Sequence, residues 1–267
     1  MTNISLWNNL DTQKRKYHNG GQKKNDRESE AYVMDIRFEK REHLKEKPDQ
    51  KHLGFGKYMT DYMFVMDWTK EEGWKDARIV PEGPITMDPA CVTLHYAQET
   101  FEGMKAYRTA EGKIQLFRPE MNAKRMINSN ARLCMPEFPV DMFVEAVKAL
   151  VKVEEDWVPS EPETSLYIRP FMFATEAALG VHMASAYKFM IICCPVGAYY
   201  AEGINPVKIL VEDELVRAVK GGTGFTKCGG NYAGSILGQV KAEKMGYSQV
   251  LWLDGEHRKY VEEVGTM

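Results

Sequence analysis

Apolar side chains recur along this chain at two different periods, and the change from one to the other marks its elements. Residues 57–68 are rich in aromatic, Met and Val side chains and read as a strand. Asp88-Pro89 signals a turn. Stretches 104–108 and 114–118 flank Thr109-Ala-Glu-Gly-Lys113, which predicts a hairpin with glycine in its loop. Pro119 then opens a helix, at a position where its missing N–H is no loss. The stripe expected to be buried there is Met126, Ile127, Asn130, Leu133 and Cys134. A second helix follows Asp141, with Phe143, Val144, Val147, Leu150 and Val151 at helical spacing. Stretches 166–173, 188–195 and 207–211 read as strands, with a Gly/Pro/Tyr connection at 197–206. Asn231 can cap a helix carrying Ala233, Ile236, Leu237 and Val240 and ending near Gly246. Strand 249–253 then meets Asp254-Gly255 and pairs with 258–264. The mixture of hairpins and helices predicts an α+β (mixed α/β) architecture, and no internal repeat is evident.

Composition narrows the field. The chain has 267 residues, 44% of them hydrophobic, enough to bury a sizeable core, and the length predicts two domains. A net charge of −3 gives no field for nucleic acid or an anionic membrane. The most apolar stretch, 189–200, is too short to span a bilayer and contains Pro195 and Gly197. No signal peptide is visible, the five cysteines include no C-x-x-C pair, and no Cys/His cluster has zinc spacing. These features predict a reduced, cytoplasmic protein without a structural metal. Residues 1–33 are polar, with basic clusters at Lys14-Arg15-Lys16 and Lys23-Lys24, and read as a disordered tail.

The segment with the most chemical content is Gly221-Gly-Thr-Gly-Phe-Thr-Lys227-Cys-Gly-Gly-Asn-Tyr232. Its glycines let a backbone approach a ligand closely. An amine held away from water keeps its proton less firmly, which is what attack on a carbonyl to form a Schiff base requires. A P-loop needs Gly before the lysine and Ser/Thr after it, but Thr226 and Cys228 stand there; a dinucleotide fingerprint fails because its third glycine position holds Lys227. A glycine-rich surface loop with a solvated lysine remains the plain alternative.

Lys227-Cys-Gly-Gly-Asn-Tyr232 and Glu263-Val-Gly-Thr266 together resemble the branched-chain amino acid aminotransferases, which have the type IV pyridoxal-phosphate fold. The resemblance runs from Met34 to the last residue. It includes Tyr96-Ala-Gln-Glu-Thr-Phe-Glu-Gly-Met-Lys-Ala-Tyr107, the Arg125 region, Tyr167-Ile-Arg-Pro170 and Pro195-Val-Gly-Ala198. It implies a small N-terminal α/β domain over 34–196, a linker over 197–206, and the start of a large cofactor-binding domain over 207–267. Because the family continues beyond this last motif, the resemblance also implies a second domain left incomplete, and a start at Met34.

The resemblance assigns roles to particular residues. Lys227 forms the Schiff base with pyridoxal 5'-phosphate and then moves a proton. Glu263 sits beside the pyridine nitrogen; Glu262 is the neighbouring candidate, and on a strand the two would face opposite ways. Arg125 holds the phosphate, while Thr266 and Tyr232 lie near the cofactor. Arg169 binds the distal carboxylate of glutamate or 2-oxoglutarate and shares a strand face with Tyr167. Phe55, Tyr96, Phe101 and Tyr167 form the apolar wall. Leu179-Gly180-Val181 reaches the neighbouring subunit's pocket, which implies a homodimer. The implied activity is amino transfer between leucine, isoleucine or valine and 2-oxoglutarate. The alternatives are a D-amino acid aminotransferase or aminodeoxychorismate lyase of the same fold, or a noncatalytic fragment.

Overall fold

The computed structural model describes residues 2–3, 34–198 and 205–265. The greater part of the polar tail, residues 199–204 of the connection, and Thr266 lie outside the described residues. In chain order the elements are β1 (Thr2–Asn3), β2 (Arg37–Phe38), β3 (Tyr62–Thr69), β4 (Gly73–Pro81), α1 (Val92–Tyr96), β5 (Glu99–Phe101), β6 (Met104–Arg108) and β7 (Ile114–Leu116). There follow α2 (Pro119–Arg132), α3 (Val140–Val153), β8 (Ser165–Ala174), β9 (Ala186–Val196), β10 (Ile209–Glu212), α4 (Gly229–Lys244), β11 (Gln249–Leu253) and β12 (Val261–Val264).

The first nine strands form one sheet in the order β1-β7-β6-β8-β9-β3-β4-β2, with β5 also pairing with β8. All its pairings are antiparallel except β2 on β4. β8 organises this sheet. Leu166, Ile168 and Met172 alternate with Tyr167, Arg169 and Phe171, so one face is apolar and the other carries chemistry. The apolar face is covered by α2 and α3, whose Ala123, Met126, Phe143, Val147 and Leu150 are buried in the same core. At its centre the rings of Phe138 and Phe189 stack with centroids 3.8 Å apart, and Trp74 meets Phe138 edge-on.

β10, β11 and β12 form a second sheet. β10 and β11 are parallel, so the chain must cross over between them, and α4 is that crossover. β11 turns at Asp254-Gly255 and returns antiparallel as β12, in line with the hairpin the sequence predicts.

Several expectations need correction. α4 begins at Gly229 with Cys228 as its N-cap, not at Asn231. The Asn231 side chain is buried instead, donating to the carbonyls of Thr223 and Thr226, both at 2.7 Å, and so bracing the glycine-rich turn. The stripe Ala233, Ile236, Leu237 and Val240 faces outward; α4 buries Asn231, Ser235, Gly238 and Ala242. Cys134 lies past the end of α2 with φ 56° and is exposed, because the helix has already stopped at Arg132. α1 and β4 went unpredicted: the one spans a single turn, and the other mixes charges into its strand pattern.

Candidate active site

Lys227 leaves the glycine-rich turn one residue before the cap of α4, and its backbone is clamped on both sides. Its N–H donates to Ser129 Oγ at 2.9 Å, and its carbonyl accepts the Phe101 N–H at 3.0 Å. The side chain is half-buried. Its Nζ donates to Tyr232 Oη at 2.5 Å and stands 4.6 Å from the Phe101 ring centre and 4.9 Å from that of Tyr232. A lysine between two aromatic faces and a phenol is held in place and partly screened from water. The plain surface-loop alternative does not describe this geometry.

The polar face of the first sheet comes to the same place. Arg169 lays its guanidinium over Phe101 at 4.5 Å, and its Nη2 donates to Tyr167 Oη at 2.7 Å. Tyr167 in turn meets Phe55 edge-on with ring centroids 4.9 Å apart. Phe101 and Tyr232 are 4.8 Å apart. Phe55, Tyr167, Arg169, Phe101, Tyr232 and Lys227 therefore form one connected series of contacts. Strand parity places Tyr167 and Arg169 on one face, as the sequence predicts.

Arg125 is fixed from beneath. Its Nε and Nη2 bond in parallel to the two oxygens of Glu102, each at 2.7 Å, and the Asn122 amide donates to the same carboxylate at 2.8 Å. Glu102 is fully buried in the break between β5 and β6, whereas the arginine side chain is half exposed. The carboxylate binds the guanidinium's charge more firmly, and the Tyr232 and Tyr167 phenols act on it in the same direction. The outcome is a rigid cation with donors to spare, a geometry suited to an anion such as a phosphate.

Other predicted residues lie elsewhere. Tyr96 Oη accepts the Gly180 N–H at 2.8 Å, between Leu179 and Val181, which are 67% and 88% exposed. Tyr96 is thus tied to the 179–181 loop at the surface. Glu263 forms an ion pair with Arg217 Nε, and Arg217 Nη2 donates to the Gly224 carbonyl at 3.1 Å. This pair borders a cleft of about 780 Å³ between the glycine-rich turn and the β11–β12 hairpin, and Lys227 does not line that cleft. Glu262 is more exposed than Glu263, but burial along β12 does not alternate and both carboxylates border this cleft.

As site residues, sequence reasoning left out Glu102, Ser129, Arg217 and Glu99, and it gave Asn231 only the place of a helix cap. Glu102 had the most legible signal, an acid beside glycine just before a predicted strand. Ser129 is an ordinary helix residue until the fold sets it under Lys227.

No protein-family profile matches the chain. It is 54% identical over 233 residues to "Branched-chain-amino-acid transaminase 1" of Bacillus subtilis, covering 87% of this chain and 65% of that protein. It is 56% identical over 233 residues, with the same coverage, to the "Probable branched-chain-amino-acid aminotransferase" of Staphylococcus epidermidis strain RP62A. The chain thus spans just under two thirds of the length of these relatives. Among solved structures, a branched-chain amino acid aminotransferase from T.th., with pyridoxamine 5'-phosphate, superposes with a TM-score of 0.60 at 30% identity, over 74% of this chain and 62% of that one. The Escherichia coli branched-chain amino acid aminotransferase superposes with a TM-score of 0.62 at 25% identity, over 76% and 62%. The mixed α+β architecture matches these structures, and the relatives do not favour the D-amino acid aminotransferase or lyase alternatives.

Proposed function

The chain belongs to the branched-chain amino acid aminotransferase family, and on that premise we propose that the protein moves the amino group between L-leucine, L-isoleucine or L-valine and 2-oxoglutarate with pyridoxal 5'-phosphate. The observation that carries this reading is the Lys227 amine held 2.5 Å from Tyr232 Oη, in a series of contacts that ends at Arg169. An amine, a phenol and a braced guanidinium are the donors an anionic aldehyde cofactor needs, so the residues present fit it. The cofactor, when bound, supplies the aldehyde that takes up the amino group and the ring that draws electrons from the substrate Cα.

The chain's own residues then divide the work. Lys227 Nζ is the nucleophile, and once free it takes the proton from the substrate Cα and returns one. Tyr232 orients that amine. Arg125 binds the phosphate, and Glu102 and Asn122 stop the guanidinium from turning away. Arg169 binds the distal carboxylate of glutamate or 2-oxoglutarate, while Phe55, Phe101 and Tyr167 wall the pocket against branched side chains. The resemblance assigns Glu263 to the ring nitrogen, a role that requires the carboxylate to leave Arg217, with which it pairs at a cleft that Lys227 does not line. The resemblance assigns Thr266, outside the described residues, to the cofactor's surroundings. In a homodimer, Leu179 and Val181 would reach the partner's pocket, while Tyr96, which the resemblance puts in the apolar wall, holds the Gly180 N–H of that loop. Among the described residues no helix is long and apolar enough to cross a membrane.

The test is Lys227→Ala in the full-length protein. Turnover of leucine with 2-oxoglutarate should fall by about a thousandfold or more, because nucleophile and proton carrier are lost together. The yellow colour of the covalently held cofactor should vanish while weak binding through Arg125 persists. Near-normal rates in this variant would overturn the reading.

A further inference from the structure

α4 starts without a cap of its own. Cys228 holds the N-cap position, but its side chain makes no capping hydrogen bond, and the first turn of the helix contains no acidic residue. The first N–H groups of a helix have no partner inside it, and the helix dipole favours a carboxylate beside them. Glu99 brings one from β5. Its Oε1 accepts the N–H of Gly229, the first residue of α4 and two residues past Lys227. Glycine is what lets the carboxylate come so close, since a Cβ at 229 would collide with Oε1.

β5 is a firm anchor for this contact. It pairs residue for residue with β8, Glu99 with Phe173 and Phe101 with Phe171. Thr100, between them, is on the opposite face, fully buried, and donates to Asn130 Oδ1 of α2 at 2.5 Å. The Phe101 N–H meets the Lys227 carbonyl at 3.0 Å, so β5 holds the chain at Lys227 and again at Gly229. An amine at the end of a long side chain goes where its backbone directs it, and a displacement of about 1 Å can cost about a hundredfold in rate. The proposed mechanism gives Glu99 no part. We propose that Glu99 is a positioning residue for Lys227: it caps α4 from another strand and so fixes the backbone from which the amine reaches the cofactor aldehyde. This rests on the transaminase reading above. Glu99 touches no reacting atom; it acts through the Gly229 amide.

The experiment adds pyridoxal 5'-phosphate to the full-length protein freed of cofactor and follows the yellow absorbance of the covalently held form. It then measures both half-reactions, with leucine and with glutamate. In Glu99→Ala the rate of colour formation should fall about tenfold or more, and kcat should fall by a similar factor for both substrates, with KM within about threefold. Glu99→Gln keeps an oxygen for the amide and should recover most of that loss. Gly229→Ala keeps the carboxylate and tests the same contact from its other end. It should slow colour formation as Glu99→Ala does, and the two changes together should be no worse than the worse one alone. A part in stability alone would lower the urea midpoint and leave colour formation and kcat at their unaltered values; that result would overturn the proposal. So would a loss confined to KM, a Glu99→Gln variant as slow as Glu99→Ala, or losses that multiply in the double variant. Failure of the unaltered full-length protein to take up colour would instead sink the transaminase reading, and this inference with it.

Discussion

Two helices that the sequence pattern predicts, α3 and α4, meet opposite fates. α3 buries Phe143, Val147, Leu150 and Val151 against the large sheet, as its spacing predicts. α4 turns Ile236, Leu237 and Val240 outward and seats Asn231, Ser235, Gly238 and Ala242 against the chain. Gly238 explains why: a Cβ there would collide with the Trp252 ring, so the helix approaches β11 more closely than a branched side chain allows. A helical stripe shows that a helix has two faces. Which face is covered depends on what lies opposite, and small residues can win where the approach must be close.

The sharpest way to break this comparison is at the centre of the first region. Phe189 is fully buried, stacked on Phe138 and edge-on or tilted to Phe64, Phe143 and Trp74. Phe189→Ala should cost about 3–5 kcal/mol, read as a fall in the urea midpoint at unchanged slope. A cost under about 1 kcal/mol would mean that this core is not the well-packed one described.

Buried carboxylates extend the contrast to pH. Glu154 lies behind the first sheet, where burial, opposed by the Tyr62 N–H and raised further by Asp61, pushes its pKa up to about 7. Glu212 in the second region is also buried, but the N–H groups of Leu215 and Glu214 and the Lys241 ammonium outweigh burial and lower its pKa. The signs are opposite. Glu154 favours folding when protonated, so its contribution is full below about pH 4.5, the unfolded value, and is lost as pH rises through about 7. Glu212 contributes above its unfolded value, and that contribution is lost as pH falls through its folded value. The Glu154 effect amounts to about 3 kcal/mol between those limits. Urea midpoints taken from about pH 5 to about pH 8 should fall in the unaltered chain and flatten in Glu154→Gln. A slope that survives the substitution would assign the loss to another group.

Legibility follows the same division. The first region could be read because its period is carried by large side chains with one available destination: β8, β9, the β6–β7 hairpin and α3 all lie close to their predicted places. The site was legible where chemistry sits on a strand, since parity alone puts Tyr167 and Arg169 together. It was not legible where contacts are long-range. Nothing local in Ser129, Glu99 or Glu102 says that they will meet Lys227, Gly229 and Arg125. The helix start was misplaced because Asn231 suits a cap by residue type, yet its amide was needed to close the turn behind it.

The smallest effect tests the outward face of α4. Ile236 is 59% exposed and Leu237 is 64% exposed, so in the 267-residue chain each gains little from burial when folded. Ile236→Gln should therefore change its folding stability by less than about 0.5 kcal/mol, the range of surface substitutions. At Phe189 the same loss of apolar surface is worth several times more, because there the cavity left behind adds to the lost transfer energy. Solubility should respond where stability does not. Removing a branched side chain from a stripe that includes Leu237 and Val240 shrinks the exposed apolar patch, so Ile236→Gln should raise the concentration at which the chain begins to associate, read by light scattering. A destabilisation of about 2 kcal/mol or more would show that Ile236 is buried after all, and the contrast between α3 and α4 would fall with it.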